Sequence, residues 1–218
     1  MSSMKRIKLY RLMVMILVLP LLLCGGCKQA EAADTCVTAF LAAMEAGNRE
    51  DMQNCVSSSE DGTVTALMNV YDKASLETTL SAVFSDAALD DDAVAACDDL
   101  ASAYLNALFQ STAIRETHHE GHGFYSVTVN AVMAYESRLS DEMYGLLGDA
   151  VGNFSDDLYN GVALGDSASL TSAAARTLSF AAERLSASLT TDDYHSVTFV
   201  FTVQDEDGSF YITSVSVQ

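Results

Sequence analysis

The chain has 218 residues, half of them apolar, with a single proline and a formal charge of −19 at neutral pH. This surplus of carboxylates repels phosphate groups, so the composition excludes nucleic-acid binding as the main function. Beyond the first 26 residues, no apolar stretch approaches the roughly 20 residues that a membrane span needs, which excludes a multi-pass membrane protein.

The N-terminal residues have the layout of an export signal. Four basic residues precede an apolar run from Leu12 to Leu23, and this run is too short to span a bilayer. The sequence therefore predicts a signal peptide over residues 1–26. Because this segment contains four of the 11 basic side chains and none of the 30 acidic ones, the remainder carries a formal charge of −23.

The segment LLCGGC, which ends at Cys27, resembles the lipobox of bacterial lipoproteins. In that motif, small residues precede a cysteine that receives a diacylglyceryl group and becomes the new N-terminus; Gly25, Gly26 and Cys27 match these positions. The resemblance implies acyl chains such as palmitate on Cys27 and attachment to the extracytoplasmic face of the cell membrane. Two acyl chains are enough for stable anchoring. Residues 27–33 are then expected to form a short tether.

The first third of the exported chain shows helical periodicity. Asp34 is expected to be the N-cap of a helix that ends at Gly47, and Asn48 is expected to cap a short second helix. Apolar residues continue at helical spacing from Val64 to Tyr71. Three consecutive aspartates beginning at Asp90 mark the start of a longer helix, since negative charge is favourable at a helix N-terminus.

Three cysteines, Cys36, Cys55 and Cys97, follow the lipobox. Outside the cytoplasm, three thiols allow one disulfide and leave one thiol over. A helix pair that turns at Gly47 would place Cys36 and Cys55 at similar heights, which makes this pair the first candidate. A disulfide between Cys97 and either of the others, or three buried free thiols, are the alternatives.

The spacing of apolar residues changes from about 3.6 to about 2 near residue 113. The pattern predicts strands over 113–119 and 124–135, joined by a turn. The chain closes with strands over 195–204 and 209–217 on either side of the sequence DEDG. Such a sequence is typical of a hairpin turn and is too short for a calcium-binding loop.

Between the two strand pairs, helices are expected to begin at Ser140 and at Asp166 or Ser169. No linker-like segment divides the chain, so residues 34–218 are expected to form one α+β domain. Its predicted architecture is a curved, four-stranded antiparallel sheet with helices packed on one face and a helical segment at the N-terminus.

The order of elements also resembles small lipoproteins of Gram-positive bacteria with a cystatin-like or nuclear-transport-factor-2-like domain. The matching pieces are the lipobox at Cys27, FLAAMEAGN at 40–48, the long strand after a short loop, VTFV at 197–200 and DGSFYI at 207–212. The resemblance implies a sheet against which helices pack, and many of these proteins have no known function.

One polar cluster is a candidate metal site. The sequence HHEGH at 118–122 holds three imidazoles and a carboxylate, so His118, His119 and His122 are candidate ligands for zinc or copper. Neighbouring residues of a strand point to opposite faces, so only one of His118 and His119 could join His122 unless the turn bends them together. The alternative is a solvated hairpin turn.

The sequence contains no nucleophile elbow, phosphate-binding loop or zinc-binding helix motif. It therefore predicts a non-catalytic binding or accessory module at the cell surface, without a cofactor, whose partners are the membrane and an unidentified protein or small ligand. This hypothesis predicts an exposed apolar patch or an apolar pocket between sheet and helices. The alternatives are a metal-binding lipoprotein and a small-molecule enzyme in such a pocket.

Overall fold

A computed structural model describes residues 28–83, 89–163 and 165–218. The expected signal peptide and the candidate lipidation site Cys27 lie outside these ranges. Within them, the chain forms an α+β domain of eight α-helices and one four-stranded antiparallel sheet. None of the described helices is long and apolar enough to cross a membrane.

Helix α1 occupies residues 28–45. It begins before Asp34, so the expected N-cap at that residue is wrong, and residues 28–33, expected to be a tether, form its first turns. The physical reason is burial: Ala33 is fully buried, one turn before the fully buried Val37. The apolar stripe thus extends further toward the N-terminus than the larger side chains alone indicated.

Three shorter helices follow α1. The chain reverses at Gly47, whose φ of +65° lies in the left-handed region that glycine adopts readily. Asn48 caps the next helix as predicted, since its Oδ1 accepts a hydrogen bond of 3.1 Å from the Asp51 backbone N–H. The three helices are α2 (Arg49–Asn54), α3 (Thr63–Val70) and α4 (Lys73–Val83).

The remaining helices pack mainly against one another. Asp90 and Asp166 cap the first and last of them, which confirms both predicted starts. The expected start at Ser140 is wrong, because the helix begins one turn earlier and buries Leu139 completely. The four helices are α5 (Asp91–Leu108), α6 (Glu136–Asn153), α7 (Ser155–Ala163) and α8 (Ser167–Ser188).

The four predicted strands are all present. They are β1 (Phe109–Gly121), β2 (Phe124–Ala134), β3 (Tyr194–Glu206) and β4 (Ser209–Val217). The order of the strands in the sheet is β1-β2-β3-β4, and every neighbouring pair is antiparallel. The first and third strands are longer at both ends than the alternating pattern predicted.

Both hairpins close through two residues with positive φ. His122 and Gly123 join β1 to β2 with φ of 53° and 80°, and Asp207 and Gly208 join β3 to β4 with φ of 55° and 90°. Positive φ at both central positions suits the right-handed twist of the paired strands, and Asp-Gly favours it. The hairpin predicted at DEDG is confirmed.

One face of the sheet forms the core. Alternate residues of β2, including Tyr125, Val127 and Val129, are buried on this face. Helix α1 covers it, with the Phe40 and Phe201 rings 5.7 Å apart. Helices α5, α6 and α8 all connect to one end of the sheet, where β1 begins, β2 ends and β3 begins.

Candidate functional site

The structure does not bring the three predicted metal ligands together. His118 Nε2 lies 3.3 Å from Glu116 Oε2, whereas the His119 ring packs 4.9 Å from the buried Tyr125 ring on the opposite face of the sheet. His122 is in the hairpin turn. Across the described ranges, no three side chains of metal-binding type converge.

Two of the three cysteines lie close together. Cys36 and Cys55 lie side by side, with Cys36 Sγ 3.6 Å from the Cys55 carbonyl oxygen. Cys97 lies elsewhere, on α5, where its sulfur is 3.8 Å from Ser81 Oγ. All three are free thiols in this structure.

The end of the sheet carries an open apolar groove of about 430 Å³, here called the sheet-end groove. It lies at the connection between β2 and α6 and at the start of β3, beside the C-terminal part of α3. Its volume falls within the range of roughly 300–1,000 Å³ typical of small-molecule sites. Its lining includes Tyr71, Met133, Tyr135, His195, Phe199 and Val217.

His195 supplies the polar wall of the sheet-end groove. Its ring stacks on Tyr135, with centroids 4.2 Å apart and an angle of 10° between the planes. Its Nδ1 is buried and has no hydrogen-bond partner. A buried polar atom without a partner costs free energy, and a hydrogen bond from a bound molecule would offset this cost if the ring turned Nδ1 into the groove.

A second cavity of about 270 Å³ adjoins the groove between α3, α4 and α5. Tyr71 and Glu136 line both cavities, so they mark the junction. Glu136 is exposed, and its carboxylate has no cationic partner among the described residues. The junction therefore combines apolar surface with an uncompensated negative charge.

Two phenols near this junction remain protonated at neutral pH. Burial, aided by the negative charge of Glu136, raises the pKa of Tyr71 to about 12. Burial likewise raises the pKa of Tyr104, whose hydroxyl lies 3.3 Å from Ser140 Oγ. A protonated phenol can donate a hydrogen bond, and both Tyr71 and Tyr104 line the second cavity.

The residues of the groove were not singled out by the sequence patterns. Tyr135 directly follows the last residue of β2, and His195 is the second residue of β3. The one available signal is register: Met133 pairs with His195, so both belong to the covered face of the sheet. That register depends on contacts between segments about 60 residues apart and cannot be inferred from local spacing.

Comparisons with known proteins found no matching family, no matching curated protein and no matching solved structure.

Proposed function

We propose that this chain is an exported, lipid-anchored binding module that holds a small amphipathic cation in the sheet-end groove, without catalysing a reaction. The observation that supports binding is a groove with an apolar floor and one buried, unpartnered nitrogen, His195 Nδ1. Such a combination is typical of sites where apolar contact supplies affinity and few polar groups fix orientation.

The size of the site favours a small molecule. The groove and the adjoining cavity enclose about 430 Å³ and about 270 Å³, and they share Tyr71 and Glu136. An apolar body can lie against Met133 and Phe199 in the groove, with its polar end at the junction. Burying this apolar surface contributes about 25 cal/mol for each Å² removed from water.

Charge favours a cation over an anion. The Glu136 carboxylate at the junction lacks a cationic partner among the described residues, and the whole chain carries a formal charge of −19. The second carboxylate of the adjoining cavity, Asp72, is already 3.8 Å from Arg49 Nη1. Glu136 is therefore the group that we expect to meet the positive end of the ligand.

Location at the membrane is the second part of the proposal. The export-signal layout over residues 1–26 and the lipobox ending at Cys27 support lipidation on the extracytoplasmic face. Helix α1 already includes residue 28, so a lipidated Cys27 would hold the domain close to the membrane surface. The sheet with α1 across one face supports a cystatin-like or nuclear-transport-factor-2-like domain of the kind found in Gram-positive lipoproteins.

Two probes of matched shape and opposite charge test the binding proposal. The full-length lipoprotein, in nanodiscs of phosphatidylcholine, is titrated calorimetrically with 4-phenylbutylamine and with 4-phenylbutyrate, and empty nanodiscs serve as the blank. We expect saturable binding of the amine that is at least about tenfold tighter than binding of the carboxylate, because Glu136 attracts one and repels the other. Absence of saturable amine binding would contradict the proposal.

A matched pair of valines locates the site. Val217 lines the groove and is 57% exposed, whereas Val94 on α5 is 54% exposed and lines no part of it. Val217→Lys places a positive charge in the groove and is expected to weaken amine binding by at least about tenfold. Val94→Lys should leave the affinity unchanged, and equal losses in both variants would place the binding elsewhere.

A further inference from the structure

Cys36 and Cys55 lie on two elements that meet beside the last strand. Cys36 is in α1, and Cys55 is the C-cap of α2. The backbone at Cys55 is fastened to β4, because Ile212 N–H donates a hydrogen bond of 2.8 Å to the Cys55 carbonyl oxygen. Val56 also forms a parallel bridge with Ile212. Cys55 is therefore held in place next to α1.

The Cys36 thiol lies beside the backbone of Cys55, with its sulfur 3.6 Å from the Cys55 carbonyl oxygen. The Cys36 thiol lies 3.2 Å from the Phe210 carbonyl oxygen and interacts with the Cys55 sulfur. A hydrogen bond to Cys55 and burial raise the pKa of Cys36, whereas the same hydrogen bond lowers the pKa of Cys55. Cys55 consequently holds the larger share of thiolate, which is the form that attacks a disulfide.

We propose that Cys36 and Cys55 form a disulfide that fastens α1 to the C-terminal end of α2. The Cys55 thiolate attacks a sulfur of an external disulfide, forms a mixed disulfide and expels one thiolate. Cys36, after losing its proton, attacks the Cys55 sulfur and expels the second thiolate. The external disulfide gains two electrons, and the two protons lost by the cysteines end on its two released thiols.

The position of this bond has a mechanical consequence. Helix α1 is the first element after Cys27, and the backbone at Cys55 is hydrogen-bonded to β4. A Cys36–Cys55 disulfide would therefore tie the N-terminal helix covalently to a segment bound to the sheet. Neither cysteine lines the sheet-end groove, so this inference does not depend on the proposed ligand.

Peptide mapping tests the pairing directly. The full-length chain carrying Cys24→Ser and Cys27→Ser is purified reduced, incubated folded with oxidised glutathione, alkylated and digested with trypsin. Cleavage after Lys28, Arg49, Lys73 and Arg115 leaves Cys36, Cys55 and Cys97 in three different peptides. We expect peptide 29–49 joined to peptide 50–73 through a disulfide and Cys97 alkylated.

Thermal unfolding of the same samples gives a second readout. Closing a loop of this length is expected to raise Tm by roughly 6–12 °C, and reductant should reverse the rise. Cys97→Ser should retain the oxidant-dependent rise, and Cys36→Ser should lose it. Two results would overturn the pairing: all three thiols of the folded, oxidised chain remain alkylatable, or Cys97 appears in the cross-linked peptide. Both results come from the chain that retains Cys36, so they do not depend on whether Cys36→Ser folds.

Discussion

Asp193 fixes the chain immediately before the strand that carries His195. Its Oδ2 accepts hydrogen bonds of 2.8 Å from both the backbone N–H and the hydroxyl of Thr190, and its Oδ1 lies 3.2 Å from Arg138 Nε. Its carbonyl oxygen accepts a hydrogen bond of 2.9 Å from Tyr135 N–H. One residue therefore holds together the two strand ends that form the wall of the groove.

The hydrogen bonds to the Asp193 carboxylate make stability depend on pH. The Thr190 backbone N–H, the Thr190 hydroxyl and Arg138 lower the pKa of Asp193 in the folded state. The contribution is therefore fully present above the unfolded pKa of about 3.9 and is lost as the pH falls through the lower folded pKa. We expect Asp193→Asn to lower the urea midpoint at pH 7, and its difference from the parent chain to be smaller at pH 2 than at pH 7.

The neighbouring Asp192 provides the control for this prediction. It is exposed, and no hydrogen bond or ion pair of its carboxylate is present in the described part of the chain. Asp192→Asn should therefore leave the urea midpoint nearly unchanged at both pH values. If the two variants lose the same stability at pH 7, the hydrogen bonds of Asp193 do not stabilise the fold.

The histidines show which single-residue properties local sequence can predict. The alternation of side chains along a strand correctly predicted that His118 and His119 point to opposite faces. In the structure, His118 lies beside Glu116 and His119 packs on Tyr125. His195 belongs to no cluster of histidines or cysteines in the sequence. Its unpartnered nitrogen results from stacking and burial between distant segments, which local spacing does not encode.

At the scale of elements, replacing glycine by alanine is expected to change the free energy of unfolding in opposite directions at two positions. Gly148 is exposed within α6, and apart from its chain neighbours and the adjacent backbone of the helix, nothing lies within 4 Å of the position that a Cβ would occupy. Gly148→Ala should stabilise the protein by about 0.5–1 kcal/mol, because alanine loses less backbone entropy in a helix. Urea denaturation at constant m value measures this change.

Gly47 supplies the contrast. It has a φ of +65°, and an added Cβ would lie 2.4 Å from Leu105 Cδ1 and 2.6 Å from Lys73 Cβ. Gly47→Ala should destabilise the protein by more than about 1 kcal/mol through backbone strain and overpacking. Equal effects of the two substitutions would contradict the structure of the turn between α1 and α2.

Element type was more predictable than element boundary. The hairpin turn at Asp207-Gly208 and the caps Asp90 and Asp166 follow from local chemistry, and all are present. The starts of α1 and α6 were misplaced, because Ala33 and Leu139 extend each buried face by one turn. A small apolar residue near a candidate cap does not locate the start of a helix unless its packing partner is known.

At the scale of the whole molecule, the sheet-end groove arises from incomplete coverage of the sheet. Helix α1 packs over the middle of the covered face, while α5, α6 and α8 gather at one end. Phe199 and Val217, which pair across β3 and β4, line the groove, and Val217 is 57% exposed. The α+β class could be predicted from the order of periodicities, but this gap depends on how distant helices pack.

The membrane anchor is a prediction about the natural product of the whole chain. Intact-mass and N-terminal peptide analysis of the natively produced protein should show residues 1–26 removed and a diacylglyceryl group on Cys27. Cys27→Ala should release the protein from the membrane fraction. An intact Met1 together with an unmodified Cys27 would refute both the anchor and the assigned location.

Methyl NMR of methionine tests the ligand site most directly. Met133 lines the sheet-end groove, while Met52 is fully buried in α2 and does not line it, so the two methyl groups form an internal comparison. Met133→Leu assigns the signal. Titration with 4-phenylbutylamine should shift the Met133 methyl signal saturably, at the concentrations that calorimetry finds, and leave Met52 in place. A Met133 signal that stays fixed while the amine binds would contradict the central claim.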